Sequence, residues 1–186
     1  IVTDSRQASA GKCFFALKGE TQDGHAFVEA AIQHGAAGVV VQEDWPLAAA
    51  TRERYPNLWV AEVPDTAQAF REATRLWRQA FHGTVLLIAG SVGKTTTKEW
   101  LAHILRDSFE ILKTQGSQNG VLGIPATLAR LEAKHQIALI EVGIDAPDLM
   151  AEHVALVQPT HALLTAIGPE HLEKLIDVPT VAHEEL

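Results

Sequence analysis

The apolar positions of this chain fall into short runs, separated by stretches in which apolar residues recur every three or four places. Cys13-Phe14-Phe15-Ala16-Leu17, Gly38-Val39-Val40-Val41 and Leu58-Trp59-Val60-Ala61 read as short strands, the last ended by Pro64. Between the first two, Ala26 to Gln33 has helical spacing, and Gly35 sits where a C-cap glycine belongs. Asp65 precedes Ala67, Phe70, Thr74, Trp77 and Phe81 at helical intervals, with Gln68 placed to complete a capping box, so an N-capped helix running to His82-Gly83 is predicted.

From Thr84 the alternation becomes regular. Strands are predicted at Thr84 to Ala89, Glu110 to Lys113, Gln136 to Ile140 and His161 to Ala166, with helices at Lys94 to Arg106, Ile124 to Leu131 and Pro147 to Val157. The expected fold class is α/β. A small mixed α/β N-terminal domain over residues 1–82 is followed by a mostly parallel, doubly wound sheet domain over 83–186. Ligands of such sheets gather at the C-terminal ends of the strands, so the residues just after each strand are the informative ones.

After Val85-Leu86-Leu87-Ile88-Ala89 comes Gly90-Ser91-Val92-Gly93-Lys94-Thr95-Thr96, which opens a helical pattern. A buried strand ending in a glycine-rich turn before a helix N-terminus is a phosphate cradle: amide N–H groups point at phosphate oxygens, Lys94 reaches the outer phosphates and the Thr95 hydroxyl holds Mg²⁺. Where the usual pattern has its first glycine this chain has Ile88, so the match is to a shortened G-x-x-G-K-T-T form. An ordinary strand-to-helix turn with a lysine in the first helical turn is the plain alternative.

Three further positions follow strand ends. Glu141 ends an apolar strand opposite the loop, positioned to coordinate Mg²⁺, although a solvent-facing strand end would look the same. Asn119 lies in the glycine-rich stretch Gly116 to Pro125, where turn chemistry alone would also select Asn-Gly. His171 follows the last strand in Gly168-Pro169-Glu170-His171, a place that capping or surface histidines also occupy.

Composition narrows the field. Asp and Glu number 23 against 15 Lys and Arg, and the net charge of -8 argues against a general nucleic-acid surface and for small-molecule work. Cys13 is the single cysteine, so there is no intrachain disulfide and no multi-cysteine metal site, consistent with a reducing cytoplasm; set in an apolar run, it reads as a buried structural thiol. There is no apolar run of about 18 residues and no charged-then-apolar leader, so neither a membrane span nor a signal peptide is expected. The chain begins at Ile1 and stops at Leu186 inside a helical pattern, and a piece of a longer, monomeric protein is expected.

Taken jointly, G-S-V-G-K-T-T-T-K-E, then Asn119 ahead of Gly123-Ile124-Pro125, then Glu141-Val142-Gly143, then Ile167-Gly168 ahead of His171-Leu172-Glu173 resemble the ATP-dependent Mur ligases of peptidoglycan synthesis. The first domain is similar to that family's UDP-binding domain through Asp4-Ser5-Arg6, Gly11 to Glu20 and Asp23-Gly24-His25-Ala26-Phe27. The Ser-Val loop, Lys98-Glu99 and the Asp-Gly-His-x-Phe motif look most like the branch that joins D-Ala-D-Ala to a UDP-N-acetylmuramoyl tripeptide. The diaminopimelate- or lysine-adding branch, a non-catalytic Mur-like module and a generic P-loop kinase or GTPase are the alternatives.

The resemblance implies ATP and Mg²⁺ as cofactors, with the UDP-muramoyl peptide and D-Ala-D-Ala as partners. It places Gly90, Ser91, Val92, Gly93, Lys94, Thr95 and Thr96 on the nucleotide, and makes Lys94, Asn119, Glu141 and His171 catalytic. Thr95, Glu141 and His171 fall on the metals, and Ser5, Arg6, Asp23, Gly24 and His25 on the UDP part. Relatives carry a carbamoylated lysine after the histidine motif; no lysine follows Lys174 here, and Glu185 stands near that position as a candidate metal-supporting carboxylate. They also carry a third domain that closes over the nucleotide, so this chain alone is expected to bind nucleotide weakly and to have little or no ligase activity.

Overall fold

The computed structural model describes residues 1–19 and 22–185. The chain forms two compact units, Ile1–Ala73 and Thr74–Leu186.

In the first unit β1 (Cys13–Phe15), β2 (Gly38–Gln42) and β3 (Trp59–Val63) form a parallel sheet in the order β1-β2-β3. Successive strand side chains point to opposite faces, so the uninterrupted Val39-Val40-Val41 run requires cover on both. Phe14 pairs with Val39, and this face packs with Val41, Val28 and Ala31. Phe15 pairs with Val40 on the other face, where its ring lies 5.5 Å from that of Phe70. The helices are α1 (Val28–Gln33), α2 (Ala48–Arg54) and α3 (Thr66–Gln79), with 3-10 turns at Ser5–Gln7 and Gly24–Phe27. The expected N-cap forms as read: Asp65 Oδ1 accepts from the amides of Ala67 at 2.8 Å and Gln68 at 3.0 Å. The thiol of Cys13 is pushed up to about 11, first by burial, and is a poor nucleophile.

The division between units falls inside α3, ahead of the boundary at His82-Gly83 that the sequence suggests. One helix serves two cores. Phe70 faces the first, whereas Trp77 donates from Nε1 to the Leu131 carbonyl at 2.9 Å and Phe81 packs on the second. The stop signals at His82-Gly83 mark the end of an element, and packing divides the chain earlier.

In the second unit β4 (Thr84–Ala89), β5 (Ile111–Lys113), β6 (Ile137–Glu141) and β7 (His161–Leu164) form a parallel sheet in the order β5-β6-β4-β7. It is joined by α4 (Lys94–Leu105), α5 (Gly123–Leu128), α6 (Leu149–Val157), α7 (Leu172–Leu175) and α8 (Val178–Glu185). One sheet face buries Val85, Leu87, Ala138 and Ile140 under α5, α6 and α8; the other buries Ile88 and Leu139 against Ala102 of α4. Arg78, itself buried, donates to the carbonyls of Val157 at 2.8 Å and Gln158 at 2.7 Å, so a guanidinium caps the C-terminus of α6. β7 stops at Leu164, short of the expected Ala166, because its partner β4 ends at Ala89 and the chain turns away at Gly90, which has φ +112°. Among the described residues no helix is long and apolar enough to cross a membrane.

Candidate functional site at the phosphate loop

The register of the second sheet builds this site. Ile88 pairs with Glu141 and Ala89 with Leu164, so the loop after β4, the end of β6 and the segment after β7 emerge side by side. Gly90, at φ +112°, is tightly enclosed: a Cβ there would collide with Thr165 Oγ1 and lie 3.1 Å from the Ala166 carbonyl oxygen. Its amide donates to Glu185 Oε2 at 2.7 Å. The amides of Ser91 and Val92 donate to the Ala166 carbonyl at 2.7 and 3.3 Å, and the Ser91 hydroxyl bridges the Gly168 carbonyl and amide, each at 3.0 Å.

These bonds take up part of the cradle's donors. The first three amides of the loop are spent inside the protein, and the donors facing outward begin at the N-terminus of α4. Gly93, its left-handed N-cap at φ +92°, supplies no side-chain cap, and the first turn holds no acidic residue. An anion is the natural partner of such a terminus. Lys94 Nζ meanwhile folds onto the Gly90 carbonyl and lies 3.6 Å from Glu170 Oε2.

Glu141 is the centre of the site. Only 1% exposed, it accepts at Oε1 from the Thr95 hydroxyl at 3.0 Å and the Asn119 amide at 2.9 Å, and at Oε2 from Lys98 Nζ at 3.0 Å. Its own amide donates to Thr114 Oγ1 at 3.0 Å. Gly143 makes the Asn119 contact possible, since a Cβ there would sit 3.0 Å from the Asn119 side chain. Thr95, Asn119 and Glu141, far apart in sequence, thus meet. Thr95 Oγ1 and the Glu141 carboxylate are hard oxygen donors within 3.0 Å of each other, a set that fits a Mg²⁺ shared with phosphate oxygens.

His171 and Glu185 stand apart from that trio. His171 is exposed, left-handed at φ +47°, and 3.7 Å from Glu173. Glu185 lies under the loop at Gly90, with its carboxyl beside that of Glu170. Among the described residues no three His, Cys, Asp or Glu side chains converge on one metal position. Burial first, then the neighbouring Glu170 carboxyl, push Glu185 up to about 7, against the opposing pull of the Gly90 amide and Lys94. Oε1 of Glu170 and Oε1 of Glu185 are both buried without a hydrogen-bond partner, and a proton on Glu185 lets it donate to Glu170.

In the first unit the expected residues lie at the C-terminal edge of the sheet. Ser5 is buried and opens a 3-10 turn; Arg6 is exposed and forks onto Asp4, with Nη2 to Oδ2 at 2.7 Å, which holds the Asp4 carboxyl below its usual range. Gly24 donates its amide to the Leu17 carbonyl at 2.8 Å. His25 is a strut: Nδ1 lies 2.6 Å from Asp23 Oδ1, and Nε2 accepts the Gln42 amide at 2.9 Å. A ring that accepts at Nε2 carries its proton at Nδ1, so an uncharged imidazole donates to the Asp23 carboxylate in a charge-assisted hydrogen bond and not an ion pair.

The residues that sequence reasoning missed are Lys98, Thr114 and Glu170. Lys98 had a signal: it shares the i, i+4 stripe of α4 with Lys94 and with Ala102, which faces the sheet.

Sheet order, loop and strand-end carboxylate define a phosphate-loop α/β domain that follows a smaller parallel α/β unit in the sequence. Residues 88–185 match the Mur ligase middle domain, and residues 1–76 match the Mur ligase family catalytic domain. The chain belongs to the Mur ligase family. It is 38% identical over 177 residues to the UDP-N-acetylmuramoyl-tripeptide--D-alanyl-D-alanine ligase of Haemophilus influenzae, an alignment covering 93% of this chain and 37% of that protein. To the ligase of the same name from Bacillus subtilis it is 31% identical, covering 100% of this chain and 39% of the relative. The crystal structure of MurF from Acinetobacter baumannii superposes with a TM-score of 0.81 at 32% identity, covering 99% of this chain and 39% of that one. MurF ligase from Thermotoga maritima in complex with ADP gives 0.80 at 26% identity, covering 99% and 41%. The chain therefore spans about two-fifths of these relatives.

Proposed function

We propose that this chain is the UDP-substrate-binding and ATP-binding part of a cytoplasmic, ATP-dependent amide ligase of peptidoglycan precursor synthesis, one that joins D-Ala-D-Ala to a UDP-N-acetylmuramoyl tripeptide. The observation that carries the proposal is the meeting of Thr95 and Asn119 on one oxygen of buried Glu141, beside a phosphate loop. Relatives named for this reaction support the choice of branch, and a relative solved with ADP supports a nucleotide at the loop.

The reactants are both anionic where they meet, so the protein's task is positioning and cationic shielding. Lys94 and the N-terminus of α4 take the outer phosphates; Lys94 leaves the Gly90 carbonyl and Glu170 to do so. Thr95 and Glu141 hold Mg²⁺, which when bound neutralises phosphate charge. Asn119 fixes Glu141 Oε1, and His171, exposed on the segment after β7, is the residue for a second Mg²⁺. The tripeptide carboxylate attacks the γ-phosphorus of ATP, the bond to the bridging oxygen breaks, and ADP leaves as the acyl phosphate forms. The amine of D-Ala-D-Ala then attacks the acyl carbon, losing a proton as phosphate leaves. Arg6 is the exposed cation for the UDP part, on a surface that Ser5, Asp23, Gly24 and His25 shape. Glu185 supplies an unmodified carboxylate under the loop.

The test is phosphate release by a ligase-length polypeptide carrying this segment, given ATP, Mg²⁺ and UDP-muramoyl tripeptide. Release that rises on adding D-Ala-D-Ala is expected; release indifferent to the dipeptide overturns the reading.

A further inference from the structure

Lys98 and Lys94 lie one turn apart on α4, yet they do different things. Lys94 lies at the loop, where a phosphate can reach it. Lys98 is fully buried, a placement that costs several kcal/mol for an ammonium unless it is paired. It is paired on several sides: Glu141 Oε2 at 3.0 Å, the Gly116 carbonyl oxygen, and Glu99 Oε1 at 3.6 Å. One ammonium therefore holds the end of β6 and the first glycine of the loop that carries Asn119.

Two consequences follow for Glu141. With Oε2 held by Lys98, Oε1 is the oxygen turned toward Thr95 and Asn119, and both of those donors are uncharged. The carboxylate also has its charge balanced 3.0 Å away, so a bare divalent cation approaching Thr95 and Glu141 meets a pair of net charge zero. The missing attraction has to arrive with the cation.

We infer that Lys98 is a positioning residue that keeps Glu141 oriented and charge-balanced, so that the divalent cation is bound together with nucleotide phosphates and not ahead of them. This rests on the reading of Thr95 and Glu141 as the metal-holding pair. Without the Lys98 charge, Glu141 attracts a cation on its own, and metal binding no longer waits for nucleotide.

The experiment is a titration of this chain with Mn²⁺, followed by loss of the free-ion electron paramagnetic resonance signal, with and without ADP. It compares wild type, Lys98→Met, Lys98→Gln and Lys98→Arg, each checked for folding by thermal melting. Wild type is expected to bind Mn²⁺ at least about tenfold tighter with ADP than without. Lys98→Met is expected to bind Mn²⁺ alone at least about tenfold tighter than wild type, and Lys98→Arg to behave as wild type. Lys98→Gln keeps a polar partner for Glu141 without the charge and replaces Lys98→Met if that variant does not fold. Unchanged nucleotide-free Mn²⁺ affinity in the folded neutral variant overturns the inference, as does wild-type binding indifferent to ADP that calorimetry shows to be bound. Absence of ADP binding by calorimetry instead removes the nucleotide reading, and the nucleotide-free comparison still decides the role of Lys98.

Discussion

The amide of Gly90, first residue of the phosphate loop, donates to Glu185 Oε2 at 2.7 Å across 95 positions of sequence. The last turn of α8 thereby anchors the start of the loop, and it does so with a group that titrates near neutrality. The folded chain holds the Glu185 proton up to about 7, whereas an ordinary glutamate releases it near 4.5. Between those values the folded state carries the extra proton, so stability falls as pH rises through that window, by up to about 3 kcal/mol. Thermal melts at pH 5 and 7.5 should show the loss, and Glu185→Gln should flatten it. A slope unchanged in that variant would place the titration elsewhere.

Gly90→Ala adds a Cβ against Thr165 and forces an L-residue to φ +112°. A destabilisation of about 2 to 4 kcal/mol in urea unfolding is expected, with loss of ADP binding. Binding that survives at wild-type strength would mean the loop tolerates another path.

Arg78 tests how the second unit is held. Its guanidinium satisfies the carbonyls of Val157, Gln158 and Phe81 in a buried position, and all three of these acceptors are backbone oxygens. Arg78→Ala should cost about 2 to 4 kcal/mol, because those acceptors lose their donors, and Arg78→Lys should recover only part. Equal stability of the lysine variant would show that charge at the helix end suffices without the fork.

His25 makes a spectroscopic prediction. Two-dimensional ¹⁵N spectra should show Nδ1 protonated and Nε2 bare at pH 7.5, as the Asp23 and Gln42 contacts demand. The opposite tautomer would break the strut.

The parts of the molecule that sequence made legible are those set by local pattern. Ile88-Ala89-Gly90 and Gly93-Lys94 announce a strand, a turn and a helix within one short stretch, and Glu141 ends an apolar run whose parallel register then sets it beside the loop. The parts that stayed hidden depend on distant partners. Nothing near Glu185 points to Gly90, and nothing near Ser91 or Val92 says that the Ala166 carbonyl takes up their amides. Lys98 shows in the sequence only as a mark of the family branch, because a lysine is normally placed in water, and it is the distant Glu141 carboxylate and Gly116 carbonyl that make its burial tolerable. α2 leaves no helical signal in the sequence because its buried side is only Ala48 and Thr51, too small to write a hydrophobic stripe.

The central claim is that this loop holds nucleotide phosphates through Lys94 and the start of α4. The most direct measurement is isothermal calorimetry of ADP with Mg²⁺ on this chain, wild type against Lys94→Ala. The account predicts weak but measurable binding to wild type and a loss of at least about a hundredfold in the variant, the worth of a charge-assisted contact to phosphate. Equal affinities in the two proteins would contradict it.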